Sequence, residues 1–382
     1  MPSPFIFFQN LLAPPAATEE IAIAHDYLTQ RGGAERVVLA MHRAFPEATI
    51  YTTLYDPEKT YPEFKNAKIV VSPLNRIKFF RKNHRAALPL LPLASSLLKV
   101  PARKTLVSST GWAHGFNFAE KSFIYCHSPA RWVYLTDQYL GDHTGKVMSF
   151  VLRFLRPALL LWDQRAARHA GPYAANSTTI QQRIEAVYGG KESEVIFPPF
   201  SIPSEKGIEP LPELEEFMKD GDYFLVVSRL LPYKNVDVAV QAFAGLNQKL
   251  LVVGDGPMAE ELHEMAPENV QFASNISDAQ LRYAYQNCRA LLAVSYEDFG
   301  LTPLEAGSFG KPTIALQAGG YLDTIREDIN GVFIQSPDVD HVRAGLVQFD
   351  SREWDCVAIH DYSDRFSEHW FKKKLREKVR DL

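Results

Sequence analysis

The most distinctive chemical pattern of the chain lies in its second half, between two glutamates, Glu297 and Glu305, that are eight positions apart. Glu297 follows an apolar, strand-like run, and Glu305 falls about one turn inside the helix predicted next. Carboxylates at this spacing could accept hydrogen bonds from different hydroxyl groups of one elongated ligand. The amides between them lie at a helix start, where backbone N–H groups can bind phosphate or sugar oxygens. The predicted ligand-binding residues of this stretch are Glu297, Asp298, Phe299, Gly300, Leu301, Thr302 and Glu305.

Two further turns in this half follow predicted strands. Arg229 and Lys234 lie in the stretch Ser-Arg-Leu-Leu-Pro-Tyr-Lys, and both can reach a pyrophosphate at a strand's carboxyl end. Gly254 lies in Gly-Asp-Gly-Pro, where a missing side chain lets the backbone approach a ligand closely. Each turn alone is also consistent with a solvated pair or an ordinary tight turn. Their convergence with the two glutamates predicts a site for a nucleotide diphosphate.

The first half carries two motifs at predicted strand ends. Gly32 and Gly33 follow the first strand and open the first helix. His127 is followed by Ser-Pro, and a strand stops before such a pair, so the imidazole is poorly placed for a core position. A plain turn and a structural histidine remain the alternatives for these two motifs.

Strand and helix patterns alternate along both halves, which predicts βα units and mostly parallel sheets. A proline-containing acidic stretch interrupts the alternation and is interpreted as a linker. The last helix is either solvated or crosses back to brace the first domain. The predicted organisation is an extension over 1–20, a first domain over 21–200, a linker over 201–221, a second domain over 222–366 and a final helix over 367–382.

Composition excludes several classes of protein. A net charge of −4 argues against nucleic acid as the main partner. Three widely spaced cysteines provide neither a disulfide framework nor zinc-ligand spacing and fit a reducing cytosol. No apolar run reaches the length of a membrane span, and the first ten residues make a poor signal peptide. We therefore expect a cytoplasmic protein.

The segment from Glu297 to Glu305 resembles the E-x7-E signature of retaining glycosyltransferases of sequence family 4. The Arg229 and Lys234 pair, the Gly-Asp-Gly-Pro turn and the carboxylates occur in that family's order and at its approximate spacing. Within the family, the chain resembles bacterial mannosyltransferases that build O-antigen and exopolysaccharide repeat units. The resemblance implies an α/β protein of the GT-B fold, with two Rossmann-like, doubly wound domains facing a central cleft.

The resemblance also implies residue roles in the second half. Arg229 and Lys234 would hold the diphosphate and offset its charge as the leaving group departs, so that neither a metal ion nor another cofactor is expected. Glu305 would accept hydrogen bonds from the ribose hydroxyls. Glu297, as a catalytic residue, would contact the hydroxyls of the donor sugar, and the amides of residues 299–302 would hold sugar and phosphate.

In the first half, the resemblance implies that Gly32 and Gly33 approach the donor phosphates. His127, as a further catalytic residue, would lie beside the donor sugar, where it would orient a hydroxyl or stabilise developing positive charge. Asp338 and Asp340 spell a metal-type Asp-x-Asp, but they lie just before a predicted helix and are interpreted as helix capping.

Residues 65–104 carry many lysines and arginines but no acidic residue. Interleaved with aromatic and apolar residues, this charge predicts attraction to anionic lipid or to a phosphate-bearing acceptor. Solvated loops neutralised by acids elsewhere are the alternative. The resemblance agrees with the first reading, because it suggests an acceptor carried on a polyprenyl diphosphate. We therefore expect peripheral attachment to the inner face of the cell membrane.

The expected reaction is transfer of mannose from GDP-mannose to a glycan or lipid-linked acceptor, with retention at the anomeric carbon. A UDP-sugar donor is the first alternative, and a GT-B-type sugar-nucleotide epimerase is the second. A nucleotide-binding regulator is a third class, but no G-x-G-x-x-G follows the first strand of either predicted domain.

Overall fold

A computed structural model describes residues 13–135, 146–200, 202 and 207–382, and for residues 146–152 it describes the backbone alone. The chain forms two compact units. The first runs to Pro199 and also includes Glu368–Leu382, whereas the second spans Phe200–Ser367. Among the described residues, no helix is long and apolar enough to cross a bilayer.

The first unit is built on a parallel sheet whose strand order is β3-β2-β1-β5-β7-β8-β9. The order reverses between β1 and β5, which pair directly, with His25 opposite Ser108. Strands β4 and β6 form a separate short pair. The strands are β1 Glu19–His25, β2 Thr49–Thr52, β3 Ile69–Val71, β4 Lys99–Val100, β5 Ala102–Ser109, β6 Asn117–Phe118, β7 Lys121–Cys126, β8 Tyr173–Ala175 and β9 Ser193–Val195.

Helices cover the faces of this sheet, and the apolar cores lie on either side of it. Alternate residues of β1 divide between two cores: Ile21 and Ile23 face one, Ala22 and Ala24 the other, as expected for a strand buried on both faces. The helices of the first unit up to residue 187 are α1 Gly33–Ala44, α2 Lys78–Lys82, α3 Leu91–Leu97, α4 Arg131–Tyr134, α5 Lys146–His169 and α6 Thr178–Val187.

The second unit contains a parallel sheet with the strand order β12-β11-β10-β13-β14-β15. The order reverses between β10 and β13, which pair through Leu225 and Leu291. Strand β10 reads Tyr-Phe-Leu-Val-Val, a continuous apolar run typical of a parallel strand with both faces covered. The strands are β10 Tyr223–Val227, β11 Lys249–Val253, β12 Val270–Ala273, β13 Ala290–Ala293, β14 Thr313–Leu316 and β15 Gly331–Ile334.

Local signals fix several helix starts in the second unit. Ser277 and Gln280 form a reciprocal capping box, and Asp338 accepts a hydrogen bond from the His341 amide. The capping interpretation of Asp338 is therefore confirmed. The helices of this unit are α7 Glu215–Met218, α8 Val236–Ala242, α9 Ala259–Met265, α10 Asp278–Asn287, α11 Thr302–Gly307, α12 Tyr321–Thr324, α13 Val339–Asp350 and α14 Cys356–Asp364.

The predicted alternation of strands and helices is present in both units, with differences at particular elements. Strands β3, β4, β6, β8 and β15 lie outside the runs that sequence pattern identifies as strands, because each has only two to four residues. Helix α8 begins at Val236, since Asn235 takes the left-handed conformation with φ of 52°. The proline of the Gly-Asp-Gly-Pro turn, Pro257, lies two residues before the start of α9.

The stretch expected to be a linker carries part of the second unit's core. Leu211 and Met218 are buried against that unit's sheet, and α7 lies between Glu215 and Met218. Residues 201 and 203–206 of this stretch lie outside the described part of the chain. Isolated apolar residues among prolines and acids hide such packing from a sequence pattern.

The final helix, α15 Glu368–Asp381, packs in the first unit. Phe371, Leu375 and Val379 recur every four residues and are buried in the first unit's core, each contributing roughly 2 kcal/mol relative to an exposed side chain. Arg43 donates two hydrogen bonds to the Glu368 carboxylate, of 2.7 and 2.6 Å. The helix is thus held to the first unit along its apolar face and at its beginning.

Candidate active site

The loops that carry the predicted carboxylates and cations leave the second sheet at the point where its strand order reverses. Parallel strands β10 and β13 are neighbours, and ligands bind at such reversals in open α/β sheets because the two loops diverge there. Residues 228–235 follow β10 and residues 294–301 follow β13. The fold therefore brings Lys234 and Glu297, 63 positions apart in sequence, to one place.

Lys234 and Glu297 form a direct ion pair at this edge. The Lys234 side chain is 12% exposed and that of Glu297 is 27% exposed, so the pair lies at the surface but is largely desolvated. Ser295 Oγ donates a second hydrogen bond, of 2.8 Å, to Glu297 Oε1. Each charge compensates the other in the absence of ligand, which keeps a cation and a carboxylate partly dehydrated at low cost.

The loop after β10 is anchored by the residue that follows Lys234. Asn235 is in the left-handed region, which asparagine adopts more readily than most residues, and its Nδ2 donates to the Val294 carbonyl over 3.2 Å. Lys234 Nζ also lies 5.0 Å from the centre of the Tyr233 ring. Arg229, at the start of the same loop, is exposed. The loop thus presents one fixed and one solvated cation.

Gly254 lies where the loops after β10 and β11 touch. A Cβ at this position would stand 1.8 Å from the Ser228 carbonyl oxygen, so no other residue fits without moving the backbone. The Leu230 amide donates to the Asp255 carbonyl over 2.9 Å. Gly254 therefore has a packing role in setting the position of the loop that carries Arg229 and Lys234.

Glu305 is only 7% exposed and lies in the first turn of α11. Tyr285 OH donates to Glu305 Oε2 over 2.9 Å. Burial, and then the neighbouring carboxylate, raise the pKa of Tyr285 well above its usual range, so the phenol remains a donor at all ordinary pH values. One carboxylate oxygen of Glu305 is thus held by a fixed neutral donor.

Residues 298–302 connect the two glutamates through a tight turn. Gly300 has φ of +82°, and a Cβ there would lie 2.4 Å from the Tyr321 ring. Phe299 is buried, whereas Asp298, Leu301 and Thr302 are partly exposed. The predicted stretch from Glu297 to Glu305 therefore surrounds a backbone turn whose shape depends on glycine.

In the first unit, His127 joins two other side chains at the reversal between β1 and β5. Its Nε2 lies 2.8 Å from Ser108 Oγ, and His25 Nδ1 lies 3.0 Å from the same oxygen and 3.1 Å from the Ser108 carbonyl. Burial, and then the proximity of His25 and Arg131, lower the pKa of His127 to about 3. The imidazole is therefore neutral at physiological pH.

Asp26 fixes the loop that follows β5. Its buried carboxylate accepts hydrogen bonds from the backbone amides of Thr110, Trp112 and Ala113 and from the Thr110 hydroxyl. A carboxylate with this many donors is fully committed to the fold. Asp26 is therefore an internal support of the edge that bears His127.

Gly32 and Gly33 lie at the start of α1 above a buried carboxylate. Gly32 is the N-cap residue, and a Cβ on it would stand 2.5 Å from Glu35 Oε2. Glu35 is 1% exposed, and burial raises its pKa. The space that a side chain at position 32 would fill is thus occupied by Glu35.

The sequence analysis did not identify several residues that contact the predicted site residues. These are Ser108, Tyr285, Ser295 and Tyr321. Ser295 lies two residues after the end of β13, where a polar residue beyond a strand could have been noticed. Tyr285 lies inside α10, and no local pattern connects it with Glu305. Among the described residues, no group of His, Cys, Asp or Glu side chains is arranged to hold a metal ion.

Comparison with known proteins adds the family context. The model of the family described as glycosyl transferases group 1 matches residues 209–362. The chain is 25% identical to an alpha-1,3/1,6-mannosyltransferase of Candida glabrata, over 90% of this chain and 85% of the relative. It is 32% identical to a GDP-mannose-dependent alpha-mannosyltransferase of Corynebacterium glutamicum, over 29% of this chain and 27% of the relative.

Among solved structures, the Anabaena protein HepE in complex with UDP superposes with a TM-score of 0.69. The match covers 95% of this chain and 100% of that one at 17% identity, which establishes a shared fold. Two Rossmann-like units with parallel sheets, the group 1 match over most of the second unit and the mannosyltransferase relatives agree. The chain therefore has the GT-B fold and is a hexose-transferring glycosyltransferase, and residues 209–362 of its second unit match the group 1 glycosyltransferase model.

Proposed function

We propose that this glycosyltransferase moves mannose from GDP-mannose to a saccharide acceptor of cell-surface polysaccharide synthesis, with retention of anomeric configuration. The observation that carries the proposal is the Lys234–Glu297 pair at the strand-order reversal of the second sheet. An anionic leaving group would compete with Glu297 for Lys234, and the released carboxylate would then accept hydrogen bonds from sugar hydroxyls. A diphosphate sugar supplies both kinds of group in one ligand.

The cations serve the departing diphosphate. Lys234 and Arg229 would bind its oxygens, and their fixed charge would stabilise the negative charge that grows as the glycosidic C–O bond breaks. Glu305, held on one oxygen by Tyr285, would accept hydrogen bonds from the ribose. Two cations at the leaving group make a bound metal ion unnecessary in this mechanism.

Retention follows from attack on the same face as departure. In the complex, the Glu297 carboxylate would accept hydrogen bonds from Ser295 and from sugar hydroxyls, which would make it a poor nucleophile for a covalent intermediate. We expect the acceptor oxygen to form the new bond to the anomeric carbon as the diphosphate leaves, with the acceptor proton passing to a phosphate oxygen. Positioning and leaving-group stabilisation then account for the rate.

The donor choice depends on relatives of two kinds. Mannosyltransferases among the sequence relatives, one of them named as GDP-mannose-dependent, favour GDP-mannose. The Anabaena structure contains UDP, which keeps a UDP-sugar as the alternative donor. A sugar-nucleotide epimerase is the second alternative, and it would release nucleotide without any acceptor.

A lipid-linked acceptor would suit the basic segment of the first unit. Within this segment, we propose that the surface around α2 contacts the membrane. Lys65, Lys68 and Arg103 pair with Glu58, Glu19 and Glu20 at 3.5–3.7 Å, so part of the charge is neutralised locally. Around α2, by contrast, Ile77 and Phe79 are 47% and 60% exposed beside the exposed cations Arg76, Lys78 and Lys82. Apolar and cationic groups side by side fit the interface of an anionic membrane.

The membrane proposal is tested by sedimentation with vesicles of neutral or anionic phospholipid. Wild-type protein should bind anionic vesicles and lose binding at high salt. Phe79→Ser with Lys78→Ser should weaken binding at least fivefold, whereas Lys65→Ser with Lys68→Ser should change it little. Equal binding to both vesicle types would contradict a membrane role for this surface.

The enzymatic proposal is tested by incubating the pure protein with GDP-mannose, UDP-glucose and other nucleotide sugars, with and without saccharide acceptors. GDP-mannose should be consumed fastest, and the product should keep the donor's anomeric configuration. Glu297→Ala should abolish transfer while GDP binding persists, and the exposed Glu213→Ala serves as its matched control. An inverted product, or unchanged turnover in Glu297→Ala, would overturn the mechanism.

A further inference from the structure

His127 lies at the end of a short chain of polar contacts that begins inside the first unit. His25 and Ser108 are opposite each other in the paired strands β1 and β5, and both are fully buried. His25 Nδ1 lies within 3.1 Å of the Ser108 carbonyl and 3.0 Å of its Oγ, and Ser108 Oγ lies 2.8 Å from His127 Nε2. His25 and Ser108 are shielded from water, whereas His127 is partly exposed at the end of the chain of contacts.

The hydrogens of this chain are determined by what each atom can do. A carbonyl oxygen only accepts, so His25 Nδ1 must carry a proton and donate it to the Ser108 carbonyl. Because His25 Nδ1 is then a donor, it cannot accept the Ser108 hydroxyl hydrogen. Among the described residues, the remaining hydrogen-bond partner of that hydroxyl is His127 Nε2, so Ser108 donates and His127 accepts. The proton of a neutral His127 is consequently on Nδ1.

Protonation of His127 would break this arrangement. Two N–H groups would then point at Ser108 Oγ, and the hydroxyl hydrogen would lose its acceptor in a buried place, which is unfavourable. Arg131 and His25 also oppose a positive charge on His127. The ring of Tyr125 lies edge-on at 5.2 Å, and the carboxyl of Glu35 interacts with His25 from α1.

We infer that Ser108 and His25 are positioning residues that hold His127 as its Nδ1–H tautomer, ready to donate one hydrogen bond to an oxygen of a sugar substrate. The sugar as the recipient of that bond rests on the proposed function, whereas the tautomer does not. Of the two roles expected for His127, orienting a hydroxyl fits a neutral donor. Direct stabilisation of positive charge by the ring would require an acceptor nitrogen facing the ligand, and Ser108 occupies that nitrogen.

The tautomer can be measured by NMR on full-length protein labelled with ¹⁵N-histidine. The two ring nitrogens of a neutral histidine give well-separated signals according to which one is protonated, and His127→Gln identifies the signals by their loss. Wild-type protein should show Nδ1–H for His127 between pH 8 and pH 5, with no titration in that range. A protonated Nε2, or a His127 signal that titrates above pH 5, would overturn the inference.

Substitutions at Ser108 separate the hydroxyl from the strand that carries it. Ser108→Ala keeps the backbone carbonyl that binds His25 but removes the donor to His127, so His127 should show both tautomers and titrate at higher pH. Ser108→Thr restores a hydroxyl and should return the signals toward wild type. Ser109→Ala, which changes the adjacent buried serine, should leave them unchanged. An unaltered His127 spectrum in Ser108→Ala would show that Ser108 does not set the tautomer.

Activity gives a second, separate readout. Ser108→Ala should lower kcat about tenfold with little change in affinity for the nucleotide alone, because the nucleotide is bound by the second unit. An altered tautomer with unchanged kcat would refute the positioning role. If no nucleotide sugar is turned over by wild-type protein, the proposed function fails while the NMR result still decides the tautomer.

Discussion

Polar side chains at the strand-order reversals of the two sheets differ in charge, in exposure and in their hydrogen-bond partners. In the second unit, Lys234 and Glu297 are charged, paired with each other and partly exposed. In the first unit, His25, Ser108 and Asp26 are buried, and their hydrogen bonds are made within the same unit. Lys234 and Glu297 neutralise each other, so each can bind a ligand group in place of its partner. Side chains that hydrogen-bond to the backbone instead determine the shape of the neighbouring loop. We therefore expect loss of Lys234 to affect mainly the rate and loss of Asp26 to affect mainly the stability.

The largest effect, a fall in kcat, is expected from Lys234→Ala. This substitution tests whether the side chains at the second unit's edge affect rate more than stability. Removing the cation takes away leaving-group stabilisation and leaves Glu297 without its partner, so kcat should fall about 10²–10³-fold. The free energy of unfolding should change by less than about 1 kcal/mol, because the remaining Glu297 side chain is 27% exposed and keeps its hydrogen bond from Ser295. Steady-state kinetics and urea denaturation measure the two quantities. Lys219→Ala, at an exposed pair in the same unit, is the control.

A loss of several kcal/mol in the free energy of unfolding after Lys234→Ala would contradict the proposed separation between residues that set the rate and residues that set the stability. So would a wild-type rate, since it would mean that the cation stabilises neither the transition state nor the fold.

Asp26→Ala should show the converse behaviour. It removes the acceptor for three backbone amides of the loop after β5, and buried donors left without partners should lower the free energy of unfolding by about 3 kcal/mol. Urea denaturation checks this, with the exposed Glu20→Ala as control. Asp26→Asn keeps an acceptor and should lose less. If Asp26→Ala were as stable as wild type, the carboxylate would not be a structural support.

The smallest effect is a pH dependence of the first unit. Burial, and then Arg85 and Lys59, lower the pKa of His84 to about 4, and the pKa of His127 lies near 3. The unfolded chain binds these protons below about pH 6.5 while the folded chain does not, so stability is complete above that pH and falls from there toward pH 4. His84→Gln should reduce this slope by up to about 1.4 kcal/mol per pH unit.

Denaturation curves measured between pH 7 and pH 4.5 test the slope. An identical slope in wild type and His84→Gln would mean that His84 is protonated as readily in the folded protein as in the unfolded chain.

The sequence predicts the parts of this molecule that depend on local pattern. Alternating apolar runs give the order of elements, and the stretch from Glu297 to Glu305 marks the reversal edge of the second sheet. Contacts between distant positions are different. Ser108 lies near the end of a predicted strand in a Ser-Ser-Thr-Gly run that carries no motif, and its hydrogen bond to His127 depends on the register of β5 beside β7.

The pairing of Lys234 with Glu297 was likewise beyond sequence pattern, although both residues were predicted site residues. Their contact depends on β10 and β13 being neighbours, a property of strand order rather than of either segment. Tyr285 is a further example, because a tyrosine within an amphipathic helix gives no sign that its hydroxyl meets a carboxylate from α11. The sequence predicted the site residues themselves, but it did not predict the distant residues that contact them in the fold.

The return of α15 to the first unit has a consequence for biosynthesis. Phe371, Leu375 and Val379 complete a core whose other members are encoded before residue 200. During translation, that core stays open until the whole of the second unit has emerged from the ribosome, whereas the second unit can close from contiguous sequence. The domain made first is therefore finished last, and its exposed apolar surface is the part of the nascent chain most in need of chaperone protection.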